Sequence, residues 1–200
     1  RWPPEGPAAA PPAVMPRLFF ALRPQLPQRA AIQAATAPLA RRLGGRPVPA
    51  DDLHLTLCFL GQVPAEDVDA LAAAAGRIEP LALDLVIDRI DLWRRSRVLC
   101  LLPAPSNALA PVGRLAAELT AACRAIGLAP DDKPFRAHVT VARGLHAQAL
   151  REQAWPMDLP EPLAFSADGF VLMSSGGAGE GPRYQVIHEW KSHRRHRGEP

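Results

Sequence analysis

Two short segments of the 200-residue chain each set a threonine two residues after a histidine: His54-Leu55-Thr56-Leu57 and His138-Val139-Thr140-Val141. In a β-strand, side chains alternate faces, so the histidine and threonine of each segment point the same way while the apolar pair enters a core. Their Cα atoms would then lie about 6.5–7 Å apart, close enough to grip one small tetrahedral group. An imidazole titrates near neutral pH, with an unperturbed pKa of about 6.5. One neutral histidine can therefore take a proton from water or a hydroxyl while the other, as imidazolium, gives one to a departing oxygen. The threonine hydroxyls suit the non-bridging oxygens of a phosphorus centre and the charge that builds on them. Nothing in this chemistry requires a cofactor or a metal. The remaining candidates form no ligand set: His146 and His188 stand alone, and the pairs Asp51-Asp52 and Asp131-Asp132 read as solvated loop carboxylates.

The pairing is not a by-product of composition. With four threonines and six histidines in the chain, random placement yields about 0.12 His-x-Thr triplets, so two copies are a rare coincidence. Both copies also fall on expected strands, 84 residues apart.

The elements that must position them follow from local patterns. An apolar run at 17–22, closed by Pro24, reads as a buried strand. Residues 26–43 carry apolar positions at helical spacing (Ala30, Ala31, Ala34, Ala35, Leu39, Leu43) and stop at Gly44-Gly45, with Pro38 expected to kink or divide the helix. Strands are expected at 53–60, 81–92, 97–102, 136–142, 163–173 and 183–190. Helices are expected at 65–77 and 107–125, with a shorter one at 146–154. The glycine cluster at 174–181 precedes a strand rather than a helix, so it reads as a hairpin loop and not as a dinucleotide fingerprint. Each histidine strand is followed by a helix and two further strands, which suggests a duplication. Mixed helices and hairpin strands point to an α+β fold with sheets facing each other across a cleft.

Composition sets the outer bounds. A 48% hydrophobic, 22% charged chain of this length can bury a core without disulfides. No run approaches the ~18 apolar residues of a membrane span. The net charge of +3 is too small to imply nucleic-acid binding by itself. Only Lys133 and Lys191 among the 23 cations are lysines, and arginine suits phosphate through its planar fork, although this usage also fits genomic base composition. Cys58, Cys100 and Cys123 lie far apart among apolar neighbours and read as reduced, buried thiols in a cytoplasmic protein. Residues 1–15 read as a disordered Pro/Ala-rich extension, 16–191 as one bilobal domain, and 192–200 as a basic flexible tail.

The segments Pro16-Arg17-Leu18-Phe19-Phe20-Ala21-Leu22, 53–61 and 134–143, with both histidine motifs, resemble the bacterial and archaeal RNA 2′,3′-cyclic phosphodiesterases of the 2H phosphoesterase superfamily, also named 2′-5′ RNA ligases. The resemblance covers about 16–191. It implies a duplicated α+β fold with pseudo-twofold symmetry, the four motif residues lining a cleft between two antiparallel-rich sheets, and helices outside. It also implies a monomeric hydrolase that opens a 2′,3′-cyclic phosphate at an RNA end to a 2′-phosphomonoester. On this resemblance His54 is the proton donor, His138 the proton acceptor, and Thr56 and Thr140 hold phosphate. Arg143 matches a family arginine, yet strict alternation turns it away from His138, and only a strand end or bulge would bring it into the cleft.

Two other readings use the same residues differently. A 2′-5′ RNA ligase, or a phosphodiesterase on 2′-5′ oligonucleotides, would share the proton donors and acceptors, with excess water favouring hydrolysis. A non-catalytic RNA-binding module would need aromatic platforms and a basic groove. Aromatic residues are only 6% of the chain, and Phe19, Phe20 and Phe59 read as core residues. An RNA end is thus the expected partner, with neither a membrane nor an obligate protein partner.

Overall fold

The computed structural model describes residues 17–106, 108–146, 154–176 and 183–192. The expected terminal segments, most of the glycine loop and nearly all of the expected helix at 146–154 lie outside the described residues.

β1 (Arg17–Leu22) is apolar along almost its whole length because both of its faces are covered. Leu18, Phe20 and Leu22 enter the main core, while Phe19 and Ala21 join a smaller cluster with Val171 and Met173. It pairs antiparallel with β3 (Leu55–Gln62) on one edge and with the end of the long β7 (Met157–Ser175) on the other. β8 (Tyr184–Lys191) pairs with β7 and completes one half, in the order β8-β7-β1-β3. The other half runs β7-β4-β5-β6, from β4 (Ala82–Trp93) and β5 (Val98–Pro103) to β6 (Val139–Arg143). A two-residue β2 (Arg46–Pro47), which the alternation pattern is too short to reveal, adds to β6.

The halves share β7, whose 19 residues pair first with β4 and later with β1. Within it Gly169, at φ 141°, lets β7 run close against β8, where any side chain would meet the Trp190 carbonyl. The halves meet again where β3 and β6 pair at Leu55 and Val139.

Three α-helices lie among the described residues: α1 (Leu26–Arg42), α2 (Val68–Ala75) and α3 (Leu109–Ala125). α3 packs against β3 of the first half, and α1 packs against β6 and β7. The halves are therefore interleaved rather than separable. α1 runs through Pro38 without dividing, since Pro38 and Ala34 are exposed and the carbonyl that the proline cannot pair faces solvent. Its buried face is Ile32, Thr36, Ala37 and Ala40, and the expected stripe of Ala30, Ala31, Ala34 and Ala35 is exposed. Alanine supplies helix propensity but little area, so the larger Ile32 sets the inward face.

The main core is built from both halves at once, with Phe20, Phe165 and Phe170 fully buried. Each such side chain contributes about 1.5–3 kcal/mol by leaving water. All three cysteines are free and buried. No helix among the described residues is long and apolar enough to cross a membrane.

Candidate active site

The Leu55–Val139 pair sets the two motifs side by side in antiparallel register. Continued by one residue each way, that register places His54 opposite Thr140 and Thr56 opposite His138, on a shared face. All four side chains line one open cavity of about 830 Å³. Each histidine stands just ahead of its strand rather than inside it: β3 begins at Leu55 and β6 at Val139. The strand starts expected at 53 and 136 are therefore late by two or three residues.

That position explains a shared tether. His54 Nδ1–H donates to the carbonyl of Asp52 at 2.7 Å, and His138 Nδ1–H donates to the carbonyl of Arg136 at 2.7 Å. A carbonyl can only accept, so each Nδ1 carries the proton and each Nε2 is left for the cleft. Either Nε2 can accept a proton as a base, or donate one once it is charged.

A second repeated feature decides what else faces the cavity. The register between β1 and β3 skips Leu57, pairing Ala21 with Thr56 and Phe20 with Cys58. Between β5 and β6 it skips Val141, pairing Cys100 with Thr140 and Leu99 with Ala142. Each irregularity inserts one residue and shifts the alternation after it. Arg143 consequently turns to the same side as Thr140 and lines the cleft, where strict alternation expected it to point away. Its Nη2 donates to the Tyr184 hydroxyl at 3.2 Å. Phe59 turns inward to the same cavity by the same device, and it is 38% exposed rather than a core residue.

Around the histidines lie aromatic rings. His54 sits 4.9 Å from both Phe19 and Tyr184, measured between ring centroids. His138 lies 4.3 Å from Trp93, whose ring also carries the Arg136 guanidinium. Burial pushes the His54 imidazole down to about 4, against the lift of its Asp52 hydrogen bond, and Arg143 and His138 add to the depression. Burial likewise lowers His138, assisted by Arg136 and Arg143. Burial thus favours the neutral form of both imidazoles. Behind Thr140, the Cys100 thiol lies 3.8 Å from the hydroxyl and is pushed up to about 12 by burial, so it stays protonated.

Among the described residues, the cavity lining holds five cations, Arg17, Arg95, Lys133, Arg143 and Arg183, and no carboxylate. Apart from Arg143, sequence reasoning missed this set, because the cations come from separate segments of a chain with a net charge of only +3. It also missed Trp93 and the part played by Asp52. Far from being solvated, Asp52 is only 3% exposed, and its carboxylate accepts the backbone N–H groups of Arg183 and Tyr184 at 3.3 and 3.2 Å. It pins the start of β8 beside His54. Asp51, Asp131 and Asp132 are exposed, as expected.

Comparison with known proteins agrees with this geometry. The profile of the family described as LigT-like phosphoesterase matches residues 22–100. An RNA 2′,3′-cyclic phosphodiesterase of Escherichia coli is 34% identical over 178 residues, covering 87% of this chain and 95% of that protein. A protein of the same name from Thermus thermophilus is 30% identical over 190 residues, covering 87% and 89% respectively. The crystal structure of E. coli LigT complexed with 3′-AMP superposes with a TM-score of 0.75 at 32% identity, over 90% of this chain and 99% of that one. With its fold, its length and much of its sequence in common with these proteins, the chain belongs to the LigT-like phosphoesterase family.

Proposed function

We propose that the protein opens 2′,3′-cyclic phosphates at RNA ends by hydrolysis to 2′-phosphomonoesters. The observation that carries this reading is the pair of equally tethered imidazoles in a cleft lined by five cations. His138 Nε2 takes a proton from water as the water oxygen attacks phosphorus. The bond from phosphorus to the 3′-oxygen breaks, and that oxygen takes the proton carried on His54 Nε2. The products are a 2′-phosphate and a free 3′-hydroxyl, with the proton passed on from His138 to His54 between turnovers. Thr56 and Thr140 donate to the non-bridging oxygens, where charge grows in the transition state. Arg143 adds a cation that is oriented by Tyr184.

With burial holding its pKa near 4, His54 acquires its proton when the anionic diester binds. The negative charge opposes both the desolvation and the Arg143 field. The resemblance in sequence and the names of the similar proteins support RNA as the substrate class. The deciding assay incubates an oligonucleotide bearing a 2′,3′-cyclic phosphate with the protein in EDTA and identifies the product. The expected product is the 2′-phosphate. A 3′-phosphate would mean that the other oxygen leaves, and no opening at all would overturn the reading.

A further inference from the structure

A second groove of about 420 Å³ runs off the phosphate cleft on the His138 side. The two share Thr56, Phe59, Trp93, Lys133 and His138, so whatever enters one is continuous with the other. One wall is the stripe Gly113, Ala117, Thr120 and Arg124 on α3. The facing wall is the loop that carries Phe135. That loop is tied down by the Asp131 N–H, which donates to the Phe59 carbonyl at 2.8 Å.

Among the described residues, the two most exposed Phe, Tyr or Trp side chains are Phe59 at 38% and Phe135 at 39%. Both line this groove. The other rings near the phosphate site are already engaged. Phe19 is buried, Tyr184 meets His54 edge to face and receives the Arg143 hydrogen bond, and Trp93 contacts both His138 and Arg136. Phe59 stacks on Phe19 at 6.4 Å on one side, so the aromatic surface left open to the groove is the rest of Phe59 and Phe135. Exposed aromatic faces next to a phosphate site are what nucleobases stack on. The charges of the groove are mixed: Lys133 pairs with Asp131 at 2.7 Å, Arg136 with Asp91 at 3.4 Å, and Arg124 stands at the far end. Stacking, not charge, is what the groove has to offer.

We infer that this groove takes the nucleobases of the RNA strand that ends in the cyclic phosphate, with Phe59 under the terminal base and Phe135 under the base before it. This rests on the cyclic phosphodiesterase reading and names a two-nucleotide recognition element for it. The flat wall at Gly113 and Ala117 leaves room for a base plane. The sugar-phosphate link between the two nucleotides would pass Lys133, at the junction of groove and cleft.

The test compares adenosine 2′,3′-cyclic phosphate with the adenylyl dinucleotide carrying the same end. Wild-type protein should show a kcat/KM about tenfold or more higher on the dinucleotide, the gain of one stacked base. Phe135→Ala should bring that ratio close to one, and Phe135→Trp should keep it, which separates stacking from a folding defect. A ratio near one in the wild type, or a ratio unchanged in Phe135→Ala, overturns the inference. Binding of the same dinucleotide and mononucleotide ending in a stable 2′-phosphate, measured by calorimetry without turnover, repeats the comparison. Should the wild type open no cyclic phosphate, the functional reading fails, while the Kd ratio still decides the groove.

Discussion

His54 is held between Phe19 and Tyr184, close to a buried carboxylate that anchors β8, whereas His138 lies against Trp93 beneath an exposed arginine. The backbones of the two halves coincide at each step. Asp52 and Arg136 offer the carbonyl tether, Leu57 and Val141 form the strand irregularity, and Phe59 and Arg143 follow it, each pair 84 residues apart. Their side chains diverge at those same positions. One irregularity delivers an aromatic face to the cleft and the other a guanidinium, and one tether residue is a buried acid while the other is a cation over an indole. A symmetric frame can hold two imidazoles equally, but a cyclic phosphate has one leaving oxygen and one attacked face. On the proposed mechanism, asymmetric neighbours are what give two equally tethered histidines unequal work.

The strongest way to break this comparison is to remove the histidines separately. His54→Ala and His138→Ala should each lower kcat by about 10²–10⁴. A substrate with an activated leaving group needs little protonation of the departing oxygen. On it His54→Ala should recover most of its activity and His138→Ala should not. The reverse pattern exchanges the roles, and equal rescue would show that the two halves work interchangeably.

Arg143 acts on both histidines, so Arg143→Ala should lower kcat by about 10²–10³-fold, as loss of one charge-stabilising donor does. The same change should move both imidazole pKa values upward, because Arg143 depresses each of them. An NMR titration of the imidazole protons reads this directly. Downward movement, or movement of one histidine alone, would remove Arg143 from the shared field.

Protonation sharpens the contrast further. His54 is lowered from 6.5 to about 4 in the folded protein, so folding favours its neutral form. Its contribution to stability is complete above about pH 6.5 and is lost as the pH falls toward 4. His54→Gln should flatten the decline of Tm across that window more than His138→Gln does. Inorganic phosphate binding at pH 6–7 should raise the histidine pKa values and take up protons, visible as a buffer-dependent binding enthalpy. Binding without proton uptake would contradict charging of the donor by the substrate anion.

The smallest effect concerns the tether residues themselves. Asp52→Asn leaves one carbonyl oxygen to accept in place of two carboxylate oxygens, turns an NH2 donor toward the other backbone N–H, and should cost about 1–3 kcal/mol by denaturant unfolding. The exposed Arg136→Ala should cost about 1 kcal/mol or less. Equal losses would mean that the buried acid does no more for the fold than its exposed counterpart.

Legibility followed the range of the interactions. The motif His-x-Thr-x, its repetition, and the order of strands and helices depend on period-2 and period-3.6 patterns, and those were readable. The alanine stripe of α1 misled because periodicity counts apolar positions without weighing their area, and Ile32 outweighs the alanines. Asp52 misled because an acid in a turn reads as solvated until the two N–H groups of β8, more than 130 residues away, are known to reach it. Arg143 and Phe59 misled because alternation assumes an unbroken strand, and an irregularity is visible only through the partner's register.

What the chain determined by itself was the chemistry: two imidazoles, two hydroxyls, and the strands that carry them, all set by neighbours within a few residues. Tertiary structure alone decided that the motifs face each other across the Leu55–Val139 pair, that five cations from separate segments share one cavity, and that burial favours the neutral imidazoles. Register, convergence of distant charges and desolvation are properties of packed neighbours far apart in sequence, and no local pattern contains them.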